Sequence, residues 1–205
     1  MTKSRPRRML VSAAMPRHAK GTNLVLLVKL AKSGVSTGQL TNLGAEEQKL
    51  LDEHVLVSEW YPFDAFAKLL CAVHEQMLGG SDEAAMRMGE ANASEMLLGV
   101  HAMFLSKGDP LRTLKGLGHI WALYFDFGEV QARATGERSA EISVLGYPDI
   151  SRCHGMVLGG WMRTAIGLAG AELEDLAVDE APWEGADHLK VSVRWSEKGS
   201  GASGP

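Results

Sequence analysis

Between residues 128 and 195 the spacing of apolar positions changes twice. Val130, Ala132 and Ala134 alternate with polar residues, Thr135-Gly136-Glu137-Arg138 carries turn chemistry, and Ala140, Ile142 and Val144 alternate back. This spacing predicts a hairpin with one buried face. After Tyr147-Pro148-Asp149, the residues Ile150, Cys153, Val157, Trp161, Ala165 and Leu168 recur at helical spacing until Gly170, which predicts a helix with a glycine stop. Leu173 to Val178 and His188 to Trp195 then flank a Pro182/Gly185 turn region. Leu189, Val191, Val193 and Trp195 share one face of the closing strand. The second half therefore reads as a ββαββ unit.

The first half follows the helical period. One helix is expected from Asn23 to Lys32 with Gly34 as its stop, and another near Gly44 to Glu53. Ser58 and Trp60-Tyr61-Pro62 precede a run in which Phe63, Phe66, Leu70, Val73 and Met77 form one stripe ending at Gly79-Gly80. Ser81-Asp82-Glu83 supplies a cap and two acids for the next helix, expected to continue to Lys107 and stop at Gly108. Asp109-Pro110 starts the last one, with Leu111, Leu114, Leu117, Trp121 and Tyr124 on one side. The expected fold is α+β: a single domain over residues 22–195, in which a helical half (22–127) packs on an antiparallel-sheet ββαββ half (128–195). Residues 1–20 read as a flexible basic arm, and 196–205, SEKGSGASGP, as a disordered tail.

A chain of 205 residues that is 45% hydrophobic is long enough to bury a substantial core. Its net charge of −4 argues against a general nucleic-acid binder. The charge is unevenly spread, however, with eight Lys or Arg and no acid in residues 1–36, and seven acids and no base from Glu172 to Asp187. The arm is thus a candidate contact for an acidic protein partner, such as the 172–187 stretch of a neighbouring copy. Its twin arginine precedes an apolar run of about seven residues, too short for an export signal, and Leu24 to Val28 is interrupted at Lys29, far short of a membrane span. A cytoplasmic protein without a transmembrane segment is expected.

Catalytic motifs are missing. None of the seven histidines forms an H-x-x-x-H or H-E-x-x-H pair, and Cys153-His154 would point about 100° apart on a helix, so no metal site is expected. Cys71 and Cys153 both fall on apolar helix faces, where a free thiol behaves as a small hydrophobe. No G-x-S-x-G turn or P-loop occurs. The small residues Gly89, Ala93, Gly155, Gly159 and Gly160 read instead as close-packing helix faces, either within the fold or at a homodimer interface. Aromatic bulk on three helices suggests a crevice between the two halves, with His101, His119, Trp121, Phe125 and Trp161 as candidate lining. Methionines on the long helix, including Met86, Met88, Met96 and Met103, would make such a surface adaptable.

Helices followed by ββαββ, W-Y-P at 60–62, Y-F-D-F-G at 124–128, Cys153 early in the late helix, G-G-W at 159–161 and the closing strand H-L-K-V-S-V-R-W make a combined pattern. It resembles bacterial proteins of the 4-vinyl-reductase and haem-NO-binding-like group, a fold shared with core subunits of the TRAPP tethering complex. The resemblance covers residues 22–195 and implies a fold that binds small hydrophobic ligands or partner proteins, commonly as a dimer. Haem-binding members of the group resemble one another in a proximal histidine, for which His101 and His119 are the candidates here, and in a Y-x-S-x-R motif. That motif is absent from this chain, so no cofactor is expected. Vinyl-reductase-like members carry paired cysteines around the last hairpin where this chain has Trp183 and Ala186, so the resemblance implies no cysteine-based metal or redox role. The expected function is a non-enzymatic ligand sensor or adaptor acting through the crevice as a homodimer. The alternatives are a scaffolding subunit whose crevice is filled by side chains and, third, an enzyme acting on a tetrapyrrole.

Overall fold

A computed structural model of the chain describes residues 16–198. The described residues open with β1 (His18–Lys20) and α1 (Gly21–Ser36), followed by α2 (Ala45–Asp52), β2 (Trp60–Pro62), α3 (Phe63–Met77) and α4 (Asp82–Leu98). A 3₁₀ turn at Ala102–Phe104 leads to α5 (Pro110–Tyr124), β3 (Glu129–Gly136) and β4 (Ser139–Leu145). The closing elements are α6 (Arg152–Leu168), β5 (Ala171–Glu180) and β6 (Leu189–Glu197). The fold is α+β, with a helical half packed on the ββαββ half.

The four long strands form one antiparallel sheet in the order β3-β4-β6-β5, so the two hairpins join through β4 and β6. In that central pair Ala140 faces Val193, Ile142 faces Val191 and Val144 faces Leu189, and all six are buried. The alternation in the sequence therefore builds one continuous apolar face. On the other face Arg133 is paired with Glu141 at 2.8 Å and Ser192 with Asp179 at 2.6 Å, both across neighbouring strands. Ala134 departs from the expected pattern: it is exposed, beside the irregularity that closes the first hairpin.

Caps set the helix starts. The Ser81 hydroxyl accepts the N–H of Ala84, the Asp109 carboxylate that of Arg112 and the Ser151 hydroxyl that of His154, each satisfying one orphan donor of a first turn. Between α5 and β3, Gly128 adopts φ 63°, and a Cβ there would lie 2.8 Å from the Leu145 carbonyl oxygen. A left-handed turn pressed on backbone needs glycine.

Three expectations are corrected. Gly34 does not end α1: it is buried in the helix, where a Cβ would meet Met77 Sδ at 2.4 Å, so its role is close packing on α3. α4 stops at Leu98 rather than Lys107, because Gly99 leaves the helical region (φ −105°, ψ −115°) and the chain folds back to bring His101 onto Tyr124. The boundaries of both termini also shift. Residues 1–15 and 199–205 lie outside the described residues, but Ser196 and Glu197 belong to β6 and residues 17–20 are built into the fold.

There β1 pairs with β2, and Ala19 bridges Phe125. Arg17 reaches Asp149 Oδ2 at 2.7 Å and Asp64 Oδ1 at 2.9 Å, with its guanidinium 5.1 Å from the rings of both Phe63 and Phe127. The acidic partners of Arg17 are thus in its own chain and outside the 172–187 stretch. Its hydrogen bonds hold the Asp149 carboxyl below the usual carboxylate range. Because the folded state lowers this value, the contribution is present above the unfolded carboxylate pKa and is lost as pH falls through the folded one. Arg17→Ala should cost about 1 kcal/mol at neutral pH, read as a lower urea midpoint, and less in acid. An unchanged midpoint at neutral pH would show that this clamp contributes nothing.

Candidate functional site

Five helices each turn one stripe toward a shared space. Leu27 and Leu30 come from α1, Phe66 and Leu70 from α3, Met88 and Ala91 from α4, Leu117, Trp121 and Tyr124 from α5, and Val157, Trp161 and Met162 from α6. Val130 and Val144 of the sheet complete the lining of a cavity of about 460 Å³. Within α1, α3, α4 and α5 these residues lie three, four or seven apart, the spacing that puts side chains on one face, and on α6 Val157 and Trp161 lie four apart with Met162 next to Trp161.

The cavity is bounded on one side by an unusually tight helix pair. A Cβ on Gly89 of α4 would lie 2.0 Å from the Val157 carbonyl oxygen, and one on Gly160 of α6 would lie 2.0 Å from that of Met86. Backbone therefore packs directly on backbone. α1 packs on α2 and α3 rather than on α4, and the wall between α1 and α4 includes the exposed residues Leu26, Arg87 and Ala91. The cavity opens there.

Polar groups on the wall are few. Asn23 of α1 lines the cavity, and its buried Nδ2 makes no hydrogen bond among the described residues. Arg87 is the one permanently charged side chain in the lining. His154, in the first turn of α6, shares a 3.1 Å hydrogen bond with the Tyr147 hydroxyl through Nδ1. The rings of Phe63, Phe66, Trp121, Phe125 and Tyr147 surround it at centroid distances of 5.6–6.4 Å. This burial disfavours the charged imidazolium and lowers the His154 pKa to about 4, so the ring is neutral at physiological pH. Burial likewise raises the Tyr124 hydroxyl to about 12 and keeps it protonated.

Of the five candidate crevice residues, Trp121, Phe125 and Trp161 line the cavity. His101 and His119 do not. His101 stands behind the wall, where its Nε2 is 2.5 Å from the Tyr124 hydroxyl, and His119 stacks on Phe104 with an interplanar angle of 16°. Their assignment to the crevice is corrected accordingly. His101 follows the end of α4 at Leu98 and braces Tyr124, and His119 of α5 faces the 3₁₀ turn. The small residues are placed inside a single chain: Gly89 and Gly160 at the α4/α6 contact, Ala93 buried in α4, Gly155 against the Trp183 ring and Gly159 beside Leu176 and Met86. With those faces covered, they offer no surface for a homodimer. Among the missed residues, His154, Asn23, Asn92 and Arg87 supply polar groups to the lining, and none has a local sequence signature. No group of three or more metal-binding side chains occurs among the described residues, and no helix there is long and apolar enough to cross a membrane.

The architecture is that of the haem-NO-binding (H-NOX) fold. The H-NOX protein from K. algicida in its Fe(II) unliganded form superposes with a TM-score of 0.66 at 12% identity, over 87% of this chain and 97% of that one. The S. oneidensis H-NOX protein in its Fe(II)NO ligation state gives 0.61 at 11% identity, over 87% and 99%. A mutant of T. Tengcongensis H-NOX gives 0.60 at 14% identity, over 87% and 98%. The chain itself belongs to the family described as "Protein of unknown function (DUF2378)", which it matches over residues 32–195. No curated protein matches it.

Haem, the group this fold implies, does not fit these residues. A histidine-held haem iron needs an imidazole nitrogen that faces the cavity, and His101 and His119 lie off it. His154 reaches the cavity, but the five rings around it leave only an edge, enough for a hydrogen bond and too little for a porphyrin plane.

Proposed function

We propose that the protein binds an apolar small molecule bearing at least one hydrogen-bond acceptor, and that it acts as a ligand-responsive sensor or adaptor rather than as an enzyme. The observation that carries this reading is the open apolar cavity of about 460 Å³. Small-molecule pockets are concave, mostly apolar and roughly 300–1,000 Å³ in volume, with a few polar groups that fix orientation. Here the buried Asn23 Nδ2 is the donor in need of an acceptor, and an apolar body would lie against Leu27, Leu70, Trp121 and Trp161. Binding rather than turnover is supported by the lining among the described residues, where neutral His154 and outward-lying Arg87 form no acid and base pair. The cavity also speaks against a scaffold with a filled crevice. An adaptor role, as implied by the vinyl-reductase-like and TRAPP-like side of the resemblance, would act through a partner that senses the filled state.

The reading is tested with a fluorescent apolar anion such as 1-anilinonaphthalene-8-sulfonate. The native chain should bind it saturably. Ala91→Trp, placed at the exposed mouth where a large ring does not strain the core, should weaken binding at least about tenfold, equivalent to roughly 1.4 kcal/mol. Equal binding by both proteins would mean that the cavity is not the site.

A further inference from the structure

The most buried polar groups of the cavity lining already have partners. Trp121 Nε1 donates to the Phe127 carbonyl at 2.8 Å, the Tyr124 hydroxyl lies between His101 Nε2 and Met96 Sδ, and His154 Nδ1 meets the Tyr147 hydroxyl. Three further polar side chains, Asn23 of α1 and Arg87 and Asn92 of α4, belong to the two helices between which the cavity opens. Asn23 Nδ2 has no partner among the described residues. Arg87 meets one carboxylate there, that of Glu83 one turn earlier, at 3.8 Å and beyond hydrogen-bond distance. Glu83 is shared with Arg163 of α6 at 3.4 Å, and the same Arg163 holds Glu90, the next acid of α4, at 2.8 Å. No Asp or Glu lines the cavity among the described residues. The mouth thus presents hydrogen-bond donors and one positive charge that no carboxylate holds by a hydrogen bond, while the interior presents hydrocarbon and aromatic rings.

We propose, resting on the reading of this cavity as a binding site, that its ligand is a fatty-acid-like amphiphile whose hydrocarbon tail fills the cavity and whose carboxylate lies at the α1/α4 mouth against Arg87. The guanidinium fork matches the two oxygens of a carboxylate, and such charge-assisted bonds are roughly twice as strong as neutral ones. The amides of Asn23 and Asn92 supply further donors from the same two helices. One positive charge neutralises a monoanion. A dianionic phosphate head would keep a second charge unpaired near Glu83 and Glu90, a cationic head would be repelled by Arg87, and an alcohol would forgo the ion pair. The orientation follows from polarity: head-first entry would bury a charge among Phe66, Trp121 and Trp161, where no cation lines the wall.

The test uses the full chain with 1-anilinonaphthalene-8-sulfonate bound, at neutral pH and low salt, where an exposed charge is least screened. The probe is displaced by decanoate, 1-decanol or decyltrimethylammonium, which share one tail and differ in the head. Decanoate should release it from wild type at a concentration at least about tenfold lower than either other compound. Arg87→Met keeps an unbranched side chain at this exposed helical position, and the preference for decanoate over 1-decanol should fall below about threefold in it. Each preference is a ratio within one protein, so a changed affinity for the anionic probe cancels. Equal release by decanoate and 1-decanol from wild type, a preference for the cation, or a preference for decanoate that Arg87→Met keeps in full would each overturn the proposal. In those cases the cavity still stands as the site if Ala91→Trp weakens binding of 1-decanol. No release by any of the three from wild type, or release that Ala91→Trp leaves unchanged, would overturn the proposal and the binding site together.

Discussion

Gly160→Leu is expected to destabilise the protein by about 3 kcal/mol or more, the largest effect of any single substitution considered. The reason is geometric. A Cβ at position 160 would sit 2.0 Å from the Met86 carbonyl oxygen and 2.9 Å from the Glu90 nitrogen, and both are backbone atoms of α4. No rotamer change relieves a clash with backbone, so α4 and α6 must separate along the contact that walls the cavity. For a chain of this size the loss corresponds to a fall in Tm of roughly 6–12 °C. The neighbouring glycine supplies the control. A Cβ at Gly159 meets only the side-chain ends of Leu176 and Met86, at 3.6 Å, an ordinary contact. Gly159→Ala should therefore be neutral or stabilising by up to about 1 kcal/mol through helix propensity. A thermal melt of the two variants checks both statements, and equal Tm values would show that the close α4/α6 approach is not what these glycines serve.

The second large effect is acid sensitivity arising from His154. In the folded chain its pKa is about 4 against an ordinary 6.5, because burial among aromatic rings penalises the charged ring. The folded state thus binds this proton more weakly than the unfolded state. Above pH 6.5 neither state is protonated there and the group costs nothing. As pH falls from 6.5 toward 4 the unfolded chain takes up the proton first, and stability falls until the folded chain is protonated too. Full titration removes roughly 3 kcal/mol. Urea titrations between about pH 7 and pH 4 should show this loss in wild type and a shallower slope in His154→Phe, which keeps the aromatic packing. The variant should start about 1 kcal/mol lower at neutral pH, because the Tyr147 hydroxyl loses its partner. Parallel slopes would contradict the enclosed, neutral imidazole.

The sheet half was nearly all legible in the sequence because its signals are local. Alternation at Ala140, Ile142 and Val144 and on the face from Leu189 to Trp195 leaves one choice of buried face, and in the helical half the Ser81 cap and the Asp109 cap before Pro110 mark the starts of α4 and α5. The pattern failed where tertiary contacts override it. Leu98, Val100 and Met103 look like a continuing apolar helix face, yet they are exposed because Gly99 turns the chain and His101 docks on Tyr124. The three-residue strands β1 and β2 are too short for any period; Arg17 holds one end of that ribbon through Asp64, Asp149 and two aromatic rings. The candidate site divides along the same line. Trp121, Phe125 and Trp161 were visible as aromatic stripes. The role of His154 arises from rings on separate segments that meet only in the folded chain, and that of Asn23 from the absence of a partner for its amide, which no local motif records.

The central claim is that the cavity holds an apolar small molecule. Native mass spectrometry of the full chain purified from its own host, recorded before and after denaturation, tests it most directly. The account predicts an extra mass on the native wild-type protein that disappears on denaturation and is absent from Ala91→Trp prepared in the same way. A native mass equal to that of the bare chain, or an adduct that Ala91→Trp retains in full, would contradict it.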